Sequence, residues 1–115
     1  MPKAARKDDT TLGQTTGEHH GHYDEDSNPI HGSCQLSGVI SGGSPNVFIN
    51  GKPAATLGGA IQETDCCGPG TGSLTQGSST VFINGSPAIR MGDTTAPHNG
   101  SASVNSGSDN VFIGG

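Results

Sequence analysis

The chain has no tryptophan, and only 3% of its residues are aromatic. Apolar residues make up 29% of its 115 positions, which excludes a core built mainly from large side chains. Lysine and arginine number 5 against 10 aspartates and glutamates, for a net charge of −5. A nucleic-acid partner calls for clustered cations facing phosphates, so none is expected. No apolar run approaches the roughly 20 residues of a membrane-spanning helix, and the N-terminus has no hydrophobic signal core. Synthesis in the cytoplasm without a signal peptide follows as an expectation. The 3 cysteines are an odd number for a disulfide framework, and Cys66 and Cys67 are adjacent, where a bridge would be strained. Reduced thiols, some of them metal ligands, fit better.

What the chain has in excess is glycine, 20 residues of it. Such a composition suits either disorder or a compact β structure held by a staple such as a metal. Internal repetition favours the second. Gly77 to Gly92 contains Gly-Ser-Ser-Thr-Val-Phe-Ile-Asn-Gly-Ser-Pro-Ala, and Gly43 to Gly58 contains Gly-Ser-Pro-Asn-Val-Phe-Ile-Asn-Gly-Lys-Pro-Ala. Gly107 to Gly115 repeats the first half as Gly-Ser-Asp-Asn-Val-Phe-Ile-Gly-Gly. The anchors Val47, Val81 and Val111 stand 34 and 30 residues apart, so one structural unit is used three times. Three unequal copies suggest a closed arrangement.

Val-Phe-Ile favours a strand, and the Asn-Gly after it accepts positive φ at both centres of a type I′ turn. Each unit is therefore a hairpin. Val47 and Ile49 share one face and Phe48 takes the other, with the same split in the later copies. Pro53-Ala54 and Pro87-Ala88 return the chain at an edge or bulge, because proline lacks the ladder donor. Met1 to Lys7 echoes these closing segments and reads as the incoming edge strand of the first unit. Asp8 to Gly17 reads as polar linker. The chain divides into one domain of three units, about 1–58, 59–92 and 93–115.

Before each strand pair stands a histidine or cysteine at a similar distance. His31 lies 16 residues ahead of Val47, Cys66 and Cys67 lie 15 and 14 ahead of Val81, and His98 lies 13 ahead of Val111. If the units surround a common axis, these loops meet at one end of it. Imidazole and thiolate at one point suit tetrahedral zinc, with iron as the competitor. The ligands would be His31, one of Cys66 and Cys67, His98, and one of His19, His20 and His22, of which His20 is favoured. Cys34 is a spare.

The Gly-Ser-x-x-Val-Phe-Ile-Asn-Gly-x-Pro-Ala repeat resembles the PAAR-repeat proteins, named for proline-alanine-alanine-arginine. Here that tetrapeptide is degenerate. Pro2-Lys3-Ala4-Ala5-Arg6 reads as carrying an insertion, Pro53-Ala54-Ala55-Thr56 lacks the arginine, and Pro87-Ala88-Ile89-Arg90 replaces one alanine. The Gly92-Asp93 that follows one copy becomes Gly58-Gly59 after another. The resemblance implies an all-β, cone-shaped domain of hairpins with pseudo-threefold symmetry, pinned by zinc near its vertex. It implies a tip that caps and sharpens the trimeric β-helical spike of a contractile injection machine, such as a type VI secretion system or a phage tail. One copy would sit on each trimer, meet the target membrane transiently, and form no homo-oligomer. Since the chain ends at Gly115, it reads as a bare tip without an effector extension.

Two other classes of function compete with this one. A zinc hydrolase needs an open coordination position and a general base, for which Glu63, Asp65 or the acids at 24–26 could serve. Four protein ligands and no pocket-forming apolar segment argue against an enzyme. A free-standing metal-storage or adhesion module explains the histidines but not why there are three repeats.

Overall fold

The computed structural model describes residues 2–15, 35–65, 68–97 and 100–114. Six strands close an antiparallel barrel: β1 (Thr10–Gln14), β2 (Gln35–Ile40), β5 (Ala60–Asp65), β6 (Gly68–Leu74), β9 (Thr94–Ala96) and β10 (Ser101–Val104). Their order around the wall is β1-β10-β9-β6-β5-β2. Two short hairpins stand at the far end, β3 (Phe48–Ile49) with β4 (Lys52–Pro53) and β7 (Phe82–Ile83) with β8 (Ser86–Pro87). The all-β expectation holds, and the two short principal extents are equal at 23 Å, as a threefold body requires.

The hairpin turns form as their residues dictate. Asn50 and Gly51 have φ of 54° and 79°, and Asn84 and Gly85 have 52° and 84°, the left-handed pair that a type I′ turn needs. Phe48 pairs with Pro53 and Phe82 with Pro87. Each proline sits in a two-stranded ribbon, where its missing N–H removes no central ladder bond.

The third hairpin is made by the two ends of the chain. Lys3 bridges Phe112, and the Ile113 amide donates to the Pro2 carbonyl at 2.9 Å. Ala4 donates to Val111 at 2.9 Å, as Ala54 does to Val47 and Ala88 to Val81. Residues 2–5 therefore complete the last unit, although they also border the first. In this register Lys3 occupies the place of Pro53 and Pro87, so Pro2-Lys3-Ala4-Ala5-Arg6 carries a substitution and not an insertion. Asp8 to Gly17 is likewise not linker throughout. Thr10–Gln14 is a barrel strand between β2 and β10, with Thr11 turned inward and only 2% exposed. Two threonines and a leucine gave no apolar alternation to betray it, because the inward positions here are small or polar.

Ala5, Ala55 and Ile89 close a ring about the axis. Ala5 N–H donates to Ile89 C=O, Ile89 to Ala55, and Ala55 back to Ala5, at 3.0, 3.1 and 3.0 Å. These three side chains join Ile40, Ile61, Leu74 and Val104 in one buried cluster. Below it Ala4, Ala54, Ala88, Ile49 and Ile113 form a second, against which Val47, Val81 and Ile83 pack. Alanines fill much of the axis beside single aliphatic side chains such as Ile89, so a chain poor in large apolar residues can still fill it.

Candidate functional site

The two ends of the barrel differ. At one end three chain segments turn back: between Gln14 and Gln35, which are paired across β1 and β2; between Asp65 and Gly68, paired across β5 and β6; and between β9 and β10. Gln14 also pairs with Ser101, the first residue of β10, which places that turn beside the first. The candidate ligands His20, His31, Cys66, Cys67 and His98, with Cys34, His19 and His22, all lie outside the described residues. Their flanking strand ends do converge on this one end. Among the described residues, no group of three or more His, Cys, Asp or Glu could hold a metal.

The opposite end carries the hairpins, locked to one another by a ring of buried serines. Ser44, Ser78 and Ser108 are 5%, 1% and 0% exposed. Each hydroxyl accepts the amides two and three residues on, at 3.3 and 3.0 Å, 3.1 and 2.9 Å, and 3.2 and 2.9 Å. Each also meets the turn of a different hairpin. Asn84 Nδ2 donates to Ser44 Oγ at 2.9 Å, Ser78 Oγ donates to the Gly114 carbonyl at 2.7 Å, and Ser108 Oγ donates to Asn50 Oδ1. The glycine before each serine is required by close approach. A Cβ at Gly43, Gly77 or Gly107 would come within 3.0 Å of the backbone of the facing Pro-Ala or Lys-Ala segment. The Gly-Ser of the repeat was visible in the sequence, but nothing local revealed that its hydroxyl serves a neighbouring unit.

Phe48, Phe82 and Phe112 point outward, 57%, 56% and 45% exposed. The face of each hairpin strand that the sequence left undecided is thus settled: isoleucine in, phenylalanine out. Leu57 and Met91, each 40% exposed, occupy matching positions beside them, with Lys7 in the third place.

Two ion pairs brace the junction between hairpins and barrel. Arg6 Nε and Nη2 donate to Asp9 at 2.9 and 3.1 Å, and Arg90 to Asp93 at 3.1 and 2.7 Å. The same carboxylates accept the arginines' own amides at 2.8 and 2.7 Å. Burial pushes the Asp9 carboxyl up, but hydrogen bonds from the Arg6 side chain and amide and from Ser106 outweigh it, so it titrates below its ordinary range. The middle unit has Thr56 and Gly59 in these places and so lacks both partners together. A buried carboxylate without its arginine would be costly, and the paired loss avoids that. Asp93→Ala should therefore cost about 2–4 kcal/mol, since Arg90 loses a bidentate partner and its amide an acceptor. The double change Arg90→Thr with Asp93→Gly, which copies the middle unit, should recover most of that. Urea denaturation of the variants measures both; a double variant weaker than the single one would contradict the pairing.

The comparisons with known proteins agree with this architecture. The PAAR motif family model matches residues 33–98. Over 80 residues, 70% of this chain, the sequence is 50% identical to NAD(+)--protein-arginine ADP-ribosyltransferase Tre1 of Serratia proteamaculans (strain 568). The chain spans 17% of that relative's length, so the relative's name describes a protein of which this chain resembles one part. The chain belongs to the PAAR motif family. Among the described residues, no helix is long and apolar enough to cross a membrane.

Proposed function

We propose that this chain is the tip of the spike of a contractile injection machine: it caps and sharpens a trimeric β-helical spike, one copy per trimer, and helps pierce the target membrane. The observation that carries the reading is the hairpin end. A single chain there presents Phe48, Phe82 and Phe112 at three matching positions, a surface suited to three identical subunits. The family supports it, and so does the interlocking of hairpins by Ser44, Ser78 and Ser108, which resists splaying under load. Exposed aromatics on a rigid ring are the kind of patch that a partner covers.

In this reading the opposite end is the vertex, and zinc ties its three loops together, with iron as the alternative. The proposed ligands remain His20, His31, one of Cys66 and Cys67, and His98. Imidazoles and a thiolate form a closed structural set, and the metal would add its binding energy to folding. The role is structural and not enzymatic; catalysis named for the relative belongs to a far longer protein. Made in the cytoplasm, the tip would ride outward on the particle.

Native mass spectrometry of the chain mixed with an isolated trimeric spike tests the stoichiometry. One copy per trimer is expected, and Phe48→Asp with Phe82→Asp should abolish binding while leaving the fold intact. Three copies per trimer would contradict the threefold match.

A further inference from the structure

The chain's 5 lysines and arginines are Lys3, Arg6, Lys7, Lys52 and Arg90. All lie on the hairpins or on the segments that join them to the barrel, and none lies on a barrel strand. Of the 10 acids, only Asp8, Asp9, Asp93 and Asp109 stand in those segments. Five cations against four acids leave the hairpin end slightly cationic in a chain whose net charge is −5.

These cations are unequally committed. Arg6 and Arg90 pair with Asp9 and Asp93, and Lys3 with Asp109 at 3.5 Å. Among the described residues, the Lys7 and Lys52 ammonium groups have no carboxylate partner. Both flank the first hairpin. Lys52 stands opposite Ile49, on the face away from Phe48. The Lys7 amide donates to the Pro53 carbonyl at 2.8 Å, which sets Lys7 on the Phe48 side. The same bond recurs from Leu57 to Pro87 at 3.0 Å and from Met91 to Lys3 at 2.8 Å. Lys7, Leu57 and Met91 are thus equivalent places, one beside each phenylalanine. Lys52 is matched by Ser86, which stands opposite Ile83, and by Pro2.

Three identical spike subunits would bring one and the same side chain to Lys7, Leu57 and Met91. Apolar contact suits leucine, methionine and the methylenes of lysine alike. The ammonium adds a demand that the middle sector, with no lysine, does not make. At the rim of an interface such a charge governs encounter more than final affinity.

We propose that the spike face that meets this tip carries carboxylates at its rim, and that Lys7 and Lys52 draw them to the first hairpin. This rests on the spike-tip reading above. A rim carboxylate stays hydrated where it faces Leu57 or Met91, so the unmatched sectors cost little. The proposal differs from a purely apolar contact, in which the phenylalanines alone attract the partner.

The test measures association and dissociation rates of the full chain with an isolated trimeric spike over a range of salt. Wild type should associate more slowly as salt rises. Lys7→Leu with Lys52→Ser copies the middle unit, where those residues already fit the fold. It should associate about 10-fold more slowly at low salt, lose most of the salt dependence, and dissociate at nearly the wild-type rate. Lys7→Glu with Lys52→Glu should be slower still and should speed up as salt is added. Equal association rates in all three chains at low salt, or faster association of the charge-reversed chain, would overturn the carboxylate rim alone. A wild-type chain that binds no trimeric spike would overturn the spike-tip reading and this one with it.

Discussion

Deleting residues 1–6 should leave the rest of the chain unfolded, although these residues lie outside the stretch matched by the family model. The segment makes six backbone hydrogen bonds to distant residues: Ala4 to Val111, Ala5 to Ile89, Ala55 to Ala5, Met91 to Lys3, Ser108 to Ala4 and Ile113 to Pro2. At about 1 kcal/mol each, their net loss is roughly 6 kcal/mol. Ala4 and Ala5, both fully buried, leave gaps in the two apolar clusters, and Asp9 loses Arg6. The sum is comparable to the whole stability of a small domain, about 5–15 kcal/mol. Far-UV circular dichroism and amide dispersion in NMR measure the outcome. Adding a peptide of residues 1–6 should restore structure, since it supplies the missing hairpin strand. A truncated chain that stays folded would mean that the third hairpin is dispensable.

Metal removal should have the next largest effect. A ligand at a thousand times its Kd stabilises the folded state by about 4 kcal/mol. For a domain of this size that is a fall of roughly 15–20 °C in thermal midpoint on full chelation. His98→Ala should lower metal content and reproduce much of the fall. The serine ring lies at the end opposite the proposed metal, so the hairpin end should outlast the vertex: amides of Ala54, Ala88 and Val111 should stay protected from exchange while those near Gln14 and Asp65 open. Equal midpoints with and without chelator would remove the metal from the account.

Much of this was legible because the chain repeats itself. Val-Phe-Ile-Asn-Gly names its own strand and turn, and two copies fixed the hairpins in advance. The ends of the chain were harder. Lys3 stands where the other copies have proline, and the bond from Ile113 to Pro2 spans the whole chain, so local pattern could not show that the first residues finish the last unit. β1 resembles a linker in sequence because Thr10–Gln14 places threonine, not valine, on its inward side. The axis ring of Ala5, Ala55 and Ile89 was likewise hidden: alanine in a returning segment looks inert until three copies meet. Glu63 appeared in the sequence only as a conceivable general base. Its burial depends on Gly72 in the neighbouring strand, a pairing of register that no local motif encodes.

The claim at the centre is that one chain builds a three-unit body about its own axis and that a metal pins its vertex. A native mass spectrum of the purified chain tests it most directly. The account predicts a monomer of 11.5 kDa carrying a single tightly held zinc. An obligate homotrimer, or a monomer that remains metal-free when zinc is supplied, would contradict it.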